Sequence, residues 1–261
     1  MSLAAVLIVK NEAEHLAACL DTLTWVDEIV VLDAGSQDTT REIAARYTDK
    51  VEVAADWQGF GVQRRRAEAL VESDWILMVD ADERVTPELR QSIQAALADE
   101  TPAIYTLARL SWCFGDFIRH SGWYPDRVAR LYPRGRAGYN DALVHEKLEN
   151  PESLPVKALS GDLLHFTYRD LRHYLEKSAH YAQAWAEQRA ARGKRGSLGA
   201  GVVHGIGCFL RMYLLKAGFL DGRQGLLLAL LSAHSTFAKY ADLWVRTRTS
   251  LPPNSDHNNR D

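Results

Sequence analysis

The chain predicts an α/β fold: a mostly parallel sheet flanked by helices, with a helical C-terminal extension. Three observations carry this expectation. Short apolar runs alternate with helix-period segments through residues 3–98, the pattern of parallel strands with covering helices. The runs end in polar residues, Lys10-Asn11-Glu12, Asp33 and Asp80-Ala81-Asp82, and ligands bind at the carboxyl ends of strands in open α/β sheets. From Arg189 to Leu220 there is no acidic residue, and leucines and aromatics interleave with Arg and Lys.

Composition sets the outer limits. A chain of 261 residues with 47% hydrophobic content buries a real core, as one large domain or a domain with an appendage. A net charge of −3 excludes a general nucleic-acid binder. Cys19, Cys113 and Cys208 are scattered and odd in number, neither a disulfide framework nor a zinc spacing, and they suit a reducing cytoplasm. Leu3–Val9 reads as a first strand and not as a signal peptide, and no uninterrupted apolar run reaches membrane-spanning length. The expected division is 1–168, 169–250, and a disordered tail at 251–261.

The first strand is Leu3–Val9, followed by a helix with Leu16, Cys19, Leu20 and Leu23 on one face. Glu28–Leu32 is the second strand. It runs into Asp33-Ala34-Gly35-Ser36-Gln37-Asp38-Thr39-Thr40, a loop with glycine for an unusual backbone angle and Ser, Asp and Thr for capping. A helix then extends to about Tyr47, and Val51–Ala55 is a third strand. Gly59 to about Val71 is a loop and helix carrying Gln63, Arg64, Arg65 and Arg66. The fourth strand is Trp75–Val79, and Thr86 then caps a helix with Pro87 at its first position.

The fourth strand ends in three carboxylates within four residues, Asp80, Asp82 and Glu83. Crowding acids there is unfavourable unless a positive partner is present. A hard divalent cation such as magnesium or manganese suits carboxylate oxygens. The plain alternative is a solvated acidic turn. Three polar strand ends along one sheet edge favour a ligand site instead.

Ile8-Val9-Lys10-Asn11-Glu12, the Asp27-to-Thr40 stretch and Asp80-Ala81-Asp82-Glu83 resemble the family-two inverting glycosyltransferases of the type A fold. Gly59-to-Arg64, Gly122-to-Arg127, Val144-His145-Glu146 and Tyr213-to-Gly225 resemble the bacterial branch that glucosylates the lipopolysaccharide inner core. The resemblance implies that Asp33 binds uracil, Glu12 touches base or ribose with Lys10 and Asn11 beside it, and Arg64 and Gln63 approach the donor. It implies that Asp80, Ala81 and Asp82 hold the donor diphosphate through Mg2+ or Mn2+. The sequence departs from the pattern at Ala34, where many relatives have a second Asp, and at Arg65 or Arg66, where Asn is common.

After Thr106 helical periodicity is lost, and Trp112, Phe114, Phe117, Trp123 and Tyr124 crowd a glycine-containing stretch. These aromatics form either a patch under a loop or a platform for the acceptor sugar, with Gly122 allowing close approach to the donor. An inverting transfer needs one base within hydrogen-bond reach of the acceptor hydroxyl. Asp126, with Arg130 four residues on, resembles the family's acid-then-arginine pattern, and Glu146 is the second candidate. By the family's order His165, following a strand end, completes the metal shell, and His145 orients Glu146 or the acceptor.

Asp170 to about Ala191 reads as an amphipathic helix, and Leu226–Leu231 with Phe237, Tyr240, Leu243 and Trp244 as a further apolar one. Lys and Arg beside leucines and aromatics suit helices lying on an anionic membrane. The alternative use of residues 189–245 is packing on the catalytic domain or on another copy in a homo-oligomer. The resulting expectation is hexose transfer, glucose first, from a UDP-sugar to a lipid-linked saccharide in the heptose region of the inner core. The enzyme would be cytoplasmic and peripheral on the inner membrane. The alternatives are a capsule, wall-polymer or protein acceptor, or a non-catalytic membrane scaffold. A dinucleotide oxidoreductase is excluded because no glycine turn follows the first strand.

Overall fold

The computed structural model describes residues 1–99, 101–141, 146–168 and 170–248. The expected tail at 251–261 lies outside them. The chain divides into two compact units. One comprises Met1–Cys113 with Trp123–Thr167, and the other Phe114–Gly122 with the chain from Tyr168 onward.

The first unit begins with β1 (Leu3–Val9), α1 (Leu16–Asp21), β2 (Glu28–Asp33), α2 (Thr40–Ala44), β3 (Val51–Val53) and α3 (Phe60–Glu68). It continues with β4 (Trp75–Met78), β5 (Glu83–Val85), α4 (Pro87–Ala98) and β6 (Ile104–Cys113). The short β7 (Asp116–Phe117) belongs to the second unit; β8 (Asp126–Pro133), β9 (Gly138–Tyr139), β10 (Leu148–Glu149) and β11 (Val156–Tyr168) follow. The alternation expected from the sequence is present through α4. There Thr86 Oγ1 accepts from Leu89 N at 3.3 Å, and Pro87 occupies the first turn. The second helix and third strand are shorter than expected, ending at Ala44 and Val53.

The sheet order is β3-β2-β1-β4-β8-β6-β11-β5. β1 pairs in parallel with β2 and β4, and β2 with β3. β4 with β8, β8 with β6, and β11 with β5 are antiparallel. The parallel character expected of the sheet therefore holds for its first half only. All four residues of β4 are buried, as expected for a strand covered on both faces. Four inter-strand steps separate β4 from β5, about 19 Å if the sheet were flat. Met78 and Glu83 are five residue steps apart, which reach at most about 17 Å. The sheet therefore curls, and both of its halves border the Asp80–Asp82 loop.

A polar knot fastens the opposite end of β2. Glu28 Oε2 accepts from Ser73 N at 2.8 Å and Ser73 Oγ at 2.7 Å, and Lys50 Nζ lies 2.8 Å from Oε1. Burial alone would raise this carboxyl; the Lys50 and Ser73 bonds outweigh it and bring it down to about 2. A lowered carboxyl stabilises the fold above its unfolded value and loses that contribution as pH falls toward the folded one. Glu28→Ala should cost about 1–3 kcal/mol at pH 7, the range for stranded donors. Urea unfolding should show that deficit shrinking between pH 4.5 and 2; a constant deficit would contradict it.

The second unit contains α5 (Leu171–Ala191), α6 (Leu198–Leu210), a π-helical turn at Arg211–Leu215, a 3-10 turn at Gly218–Asp221 and α7 (Gly222–Arg248). Asp170 Oδ1 caps α5 through His173 N at 2.8 Å, and Ser197 Oγ caps α6 through Ala200 N at 3.3 Å. α5 packs on α7 through Trp185 and Tyr240, with ring centroids 5.0 Å apart, and through Ser178 Oγ to Ser235 Oγ at 2.7 Å. α6 packs on α7 at Gly201, where a Cβ would lie 2.9 Å from Tyr240 Cβ. No uninterrupted apolar run of membrane-spanning length is present in the sequence, but among the described residues one interrupted stretch passes by length and composition. The 18 residues Leu198–Leu215 have mean hydropathy 1.5 and are long and apolar enough by length and composition. Arg211 interrupts the apolar run, but the helix continues through it.

Candidate active site

The carboxyl end of β4 delivers Asp80 into a cage of arginines. Arg64, from the buried face of α3, donates from Nη2 to Asp80 Oδ1 at 2.8 Å. Arg130, from β8, donates from Nη2 to Asp80 Oδ2. Desolvation opposes ionisation of Asp80, but Arg130 and Arg64 together outweigh it and hold this carboxyl far below the usual range. Glu83 begins β5 fully buried, with Oε1 3.5 Å from Arg130 Nη2 and 3.8 Å from Arg109 Nη1. Burial pushes Glu83 up by more than Arg130 pulls it down. Its Oε2 accepts from Asp80 N at 2.9 Å, which fixes the acidic turn.

Asp82 and His165 form a second cluster. His165 lies within β11, in register with Glu83, and not after the strand end as expected. The β11–β5 pairing brings His165 Nε2 to 3.4 Å from Asp82 Oδ2. Ser111 Oγ lies 3.2 Å from His165 Nδ1, which fixes the ring and points Nε2 at the carboxylate. A carboxylate oxygen and an imidazole nitrogen converging in this way suit a divalent cation whose other ligands come from phosphate oxygens. Asp80 directs both its oxygens to guanidinium groups. Among the described residues no group of three or more His, Cys, Asp or Glu could hold a metal ion.

At the ends of β1 and β2, Asp33 is fully buried. Its Oδ1 accepts from Gly35 N at 2.9 Å and Ser36 N at 2.8 Å, and its buried Oδ2 has no partner. A buried carboxylate oxygen without a donor is costly unless a ligand supplies one. Asn11, at φ 55, accepts from Gln37 N at 2.8 Å, and Glu12 N donates to Thr40 Oγ1 at 2.8 Å. These bonds tie the first two strand ends together. Gln63 is buried and donates to Ala54 O at 2.9 Å, so it secures the wall and not the opening. A cleft of about 390 Å³ opens here, lined by Ile8, Val9, Lys10, Glu12, Trp57 and Phe60. A larger one of about 570 Å³ lies at the amino end of β2, around the Glu28–Lys50 knot, away from the acidic loop.

Asp126 sits opposite Arg109 in the β6–β8 register. Its Oδ2 accepts from Arg109 Nε at 2.9 Å and Nη2 at 2.5 Å, while Oδ1 accepts no hydrogen bond among the described residues. The side chain is 44% exposed. Arg130, expected as its companion, is committed to Asp80 and Glu83 instead. Glu146 Oε1 lies 3.4 Å from Arg64 Nε. Tyr124 Oη donates to Asp162 Oδ1 at 2.8 Å, and Trp123 is half-buried beside it in sequence. Gly122 belongs to the second unit, where it approaches Lys216. His145 lies outside the described residues. Sequence reasoning missed Arg109, Ser111, Trp57 and Phe60. The last two stand three apart, just before and at the start of α3, and make an exposed edge-to-face pair at 4.8 Å.

A parallel half-sheet ending in Asp33, with an acidic loop flanked by arginines and a histidine, is the site of a transferase. Residues 4–146 match the family model for glycosyl transferase family 2, and the chain belongs to that family. The fold is the type A glycosyltransferase fold with a helical C-terminal stretch. The chain is 28% identical, over 98% of its length and 97% of the relative's, to the lipopolysaccharide core biosynthesis glycosyltransferase LpsC of Rhizobium meliloti. It is 24% identical to an uncharacterised glycosyltransferase of Rickettsia felis, covering 92% of this chain and 89% of that protein. Similar solved structures include Staphylococcus aureus TarS 1–349, at 14% identity and TM-score 0.47, covering 91% of this chain and 72% of that one. Another is glucosyl-3-phosphoglycerate synthase from Mycobacterium tuberculosis with Mn2+ and UDP-glucose, at 18% identity and TM-score 0.46, covering 75% and 80%.

Proposed function

We propose that the protein transfers a hexose, glucose in the first instance, from a UDP-sugar to a lipid-linked saccharide, with inversion. The acceptor is the heptose region of the lipopolysaccharide inner core. The observation that carries the donor assignment is the unpartnered Asp33 Oδ2, buried at a strand end beside a cleft of nucleoside size. It would accept the N–H of a uracil ring. Similarity to LpsC along the whole chain supports the acceptor class.

Arg64 Nη1 is buried without a hydrogen bond, a donor suited to diphosphate oxygens. Asp82 and His165 would hold Mg2+ or Mn2+, which when bound neutralises charge on the diphosphate leaving group. Asp126 Oδ1 takes the proton of the acceptor hydroxyl as its oxygen bonds the anomeric carbon, and the bond to the diphosphate breaks with its electron pair leaving on UDP. Arg109 holds Asp126 in place. Glu146 is the second candidate base because it borders Arg64. Residues 189–245 supply the surface that brings the enzyme to the cytoplasmic face of the inner membrane, where a lipid-linked acceptor resides.

Calorimetric titration with UDP, with and without manganese, tests the reading. Binding should require the metal and be lost in Asp82→Asn. Asp126→Asn should retain UDP binding while turnover falls by about 10²–10⁴, the usual contribution of a general base. Absence of UDP binding by the intact protein would remove the donor assignment. Full activity in Asp126→Asn would transfer the base to Glu146.

A further inference from the structure

The apolar stretch Leu198–Leu215 qualifies by length and composition as a membrane span, yet hydrogen bonds within the second unit and the course of the chain keep both its ends on one side. We infer that α6 and the two turns after it lie in the plane of an anionic bilayer and insert into a single leaflet without crossing. This deepens the membrane reading above and rests on it.

The far end of the stretch is clamped. Asp221, its side chain only 4% exposed, accepts from Arg119 N at 3.0 Å, His120 N at 3.0 Å and Ser121 Oγ at 3.1 Å, and it pairs with His120 Nδ1 at 2.9 Å. Ser121 N donates to Lys216 O at 2.9 Å. The turn that ends the apolar stretch is thereby fastened to residues 119–121. Ser121 is followed, two residues on, by Trp123 of the catalytic unit, and two residues reach at most about 7 Å. By covalent connection alone, the Lys216–Asp221 turn is on the catalytic side.

The near end is constrained as well. The chain leaves β11 and enters α5, which carries Arg172, Glu176 and Lys177 near its start and Glu187 and Arg189 near its end, so that its uncharged middle is far shorter than the roughly 20 residues a span needs. A helix so charged does not cross a bilayer. Arg192, Lys194 and Arg195, which precede α6, therefore stay on the same side as β11. With both ends on one side, Leu198–Leu215 has no route across.

Its exposure fits an in-plane helix. Gly201 and Gly205 face α7 and are buried. The outward residues are apolar and open: Val203 is 69% exposed, Ile206 56%, Leu214 53%, Leu215 81%, Phe219 50% and Leu220 61%. So continuous an apolar surface marks an interaction site. Charge selects an anionic bilayer as its occupant. Residues 188–241 contain eight Lys and Arg and one acid, Asp221, which is buried in the clamp. An apolar face bordered by unopposed cations has the composition of an interfacial helix on anionic lipid.

The test uses the whole protein and sealed vesicles of 30% phosphatidylglycerol in phosphatidylcholine. Wild type should float with them, and Leu215→Asp with Leu220→Asp should reduce the bound fraction by about 10-fold or more. Val156→Asp, at an apolar position 62% exposed in the catalytic unit, should float as wild type does. Single cysteines are then placed in a Cys208→Ser background, since Cys19 and Cys113 are buried. In solution Lys194→Cys, Ile206→Cys and Arg223→Cys should all react with a membrane-impermeant maleimide. On vesicles the first and last should stay reactive, and Ile206→Cys should become protected. If wild type fails to float, the membrane reading and this inference both fall. If it floats but Lys194→Cys or Arg223→Cys becomes protected, the stretch crosses; the membrane reading then stands and the in-plane arrangement is overturned. Flotation unchanged by the aspartates also overturns it. So does protection of Ile206→Cys in solution together with a dimeric mass, since a second copy would then cover the face.

Discussion

Arg130→Met is expected to destabilise the catalytic unit by about 3–5 kcal/mol, the cost of stripping one partner from a buried ion cluster. Arg130 is buried between Asp80 and Glu83, and burial disfavours its charge less than the two carboxylates favour it. Methionine fills similar volume, so the loss reports charge more than packing. Asp80 would keep Arg64 at 2.8 Å, but Glu83 would keep the Asp80 N–H at 2.9 Å and, of its two arginines, the more distant Arg109 at 3.8 Å. The sign of the pH dependence identifies the cause. Glu83 already has a carboxyl raised by burial, and losing Arg130 raises it further. A group with a raised folded value contributes stability at low pH and loses it as pH rises through that value. The deficit in urea unfolding should therefore be smaller at pH 5.5 than at pH 8.5. A deficit that is constant with pH, or below about 1 kcal/mol, would show that the cluster is solvated and not buried.

Gly161→Ala should be comparably severe, for a steric reason. Gly161 has φ +84, and a Cβ there would lie 2.3 Å from Leu89 N and 2.7 Å from Leu89 Cα. Backbone strain of about 1–3 kcal/mol adds to overpacking of about 1–3 kcal/mol, for a loss of about 2–6 kcal/mol. The obstacle is the backbone at the start of α4, which cannot rotate aside. Thr86 Oγ1 donates to Asp162 O at 2.8 Å beside it, so relief would shift β11 against β5. That pairing brings His165 to Asp82. Manganese-dependent UDP binding should then weaken together with the melting temperature. A variant that melts as wild type does would show that β11 can move away from α4 without cost.

The first half of the molecule was legible because each element announces itself locally. β1 and β4 are continuous apolar runs, as parallel strands covered on both faces must be, and α4 carries its cap and proline in sequence. The antiparallel half was not legible. β6 repeats two buried positions and one half-buried position, so neither the two-residue nor the 3.6-residue period stands out. Without β6 the partner of Asp126 could not be found, because Arg109 meets it only through the β6–β8 register. Sequence spacing likewise pairs Arg130 with a neighbour four residues away, yet it reaches Asp80, fifty residues distant.

The amino-acid sequence by itself determined the family, the order of strands and helices through α4, and the acids and histidine that gather at the site. These depend on residue type and short spacing, which a linear chain displays. Tertiary structure decided which charges neutralise which. The β4–β8 pairing and α3 set Arg130 and Arg64 on Asp80, and the curl that brings β11 and β5 round left Asp82 facing His165. It likewise decided that the Asp221 clamp holds the end of the apolar stretch beside residues 119–121. Those outcomes follow from register and closure between distant segments, and the energy of a buried ion pair depends on geometry that no local pattern encodes.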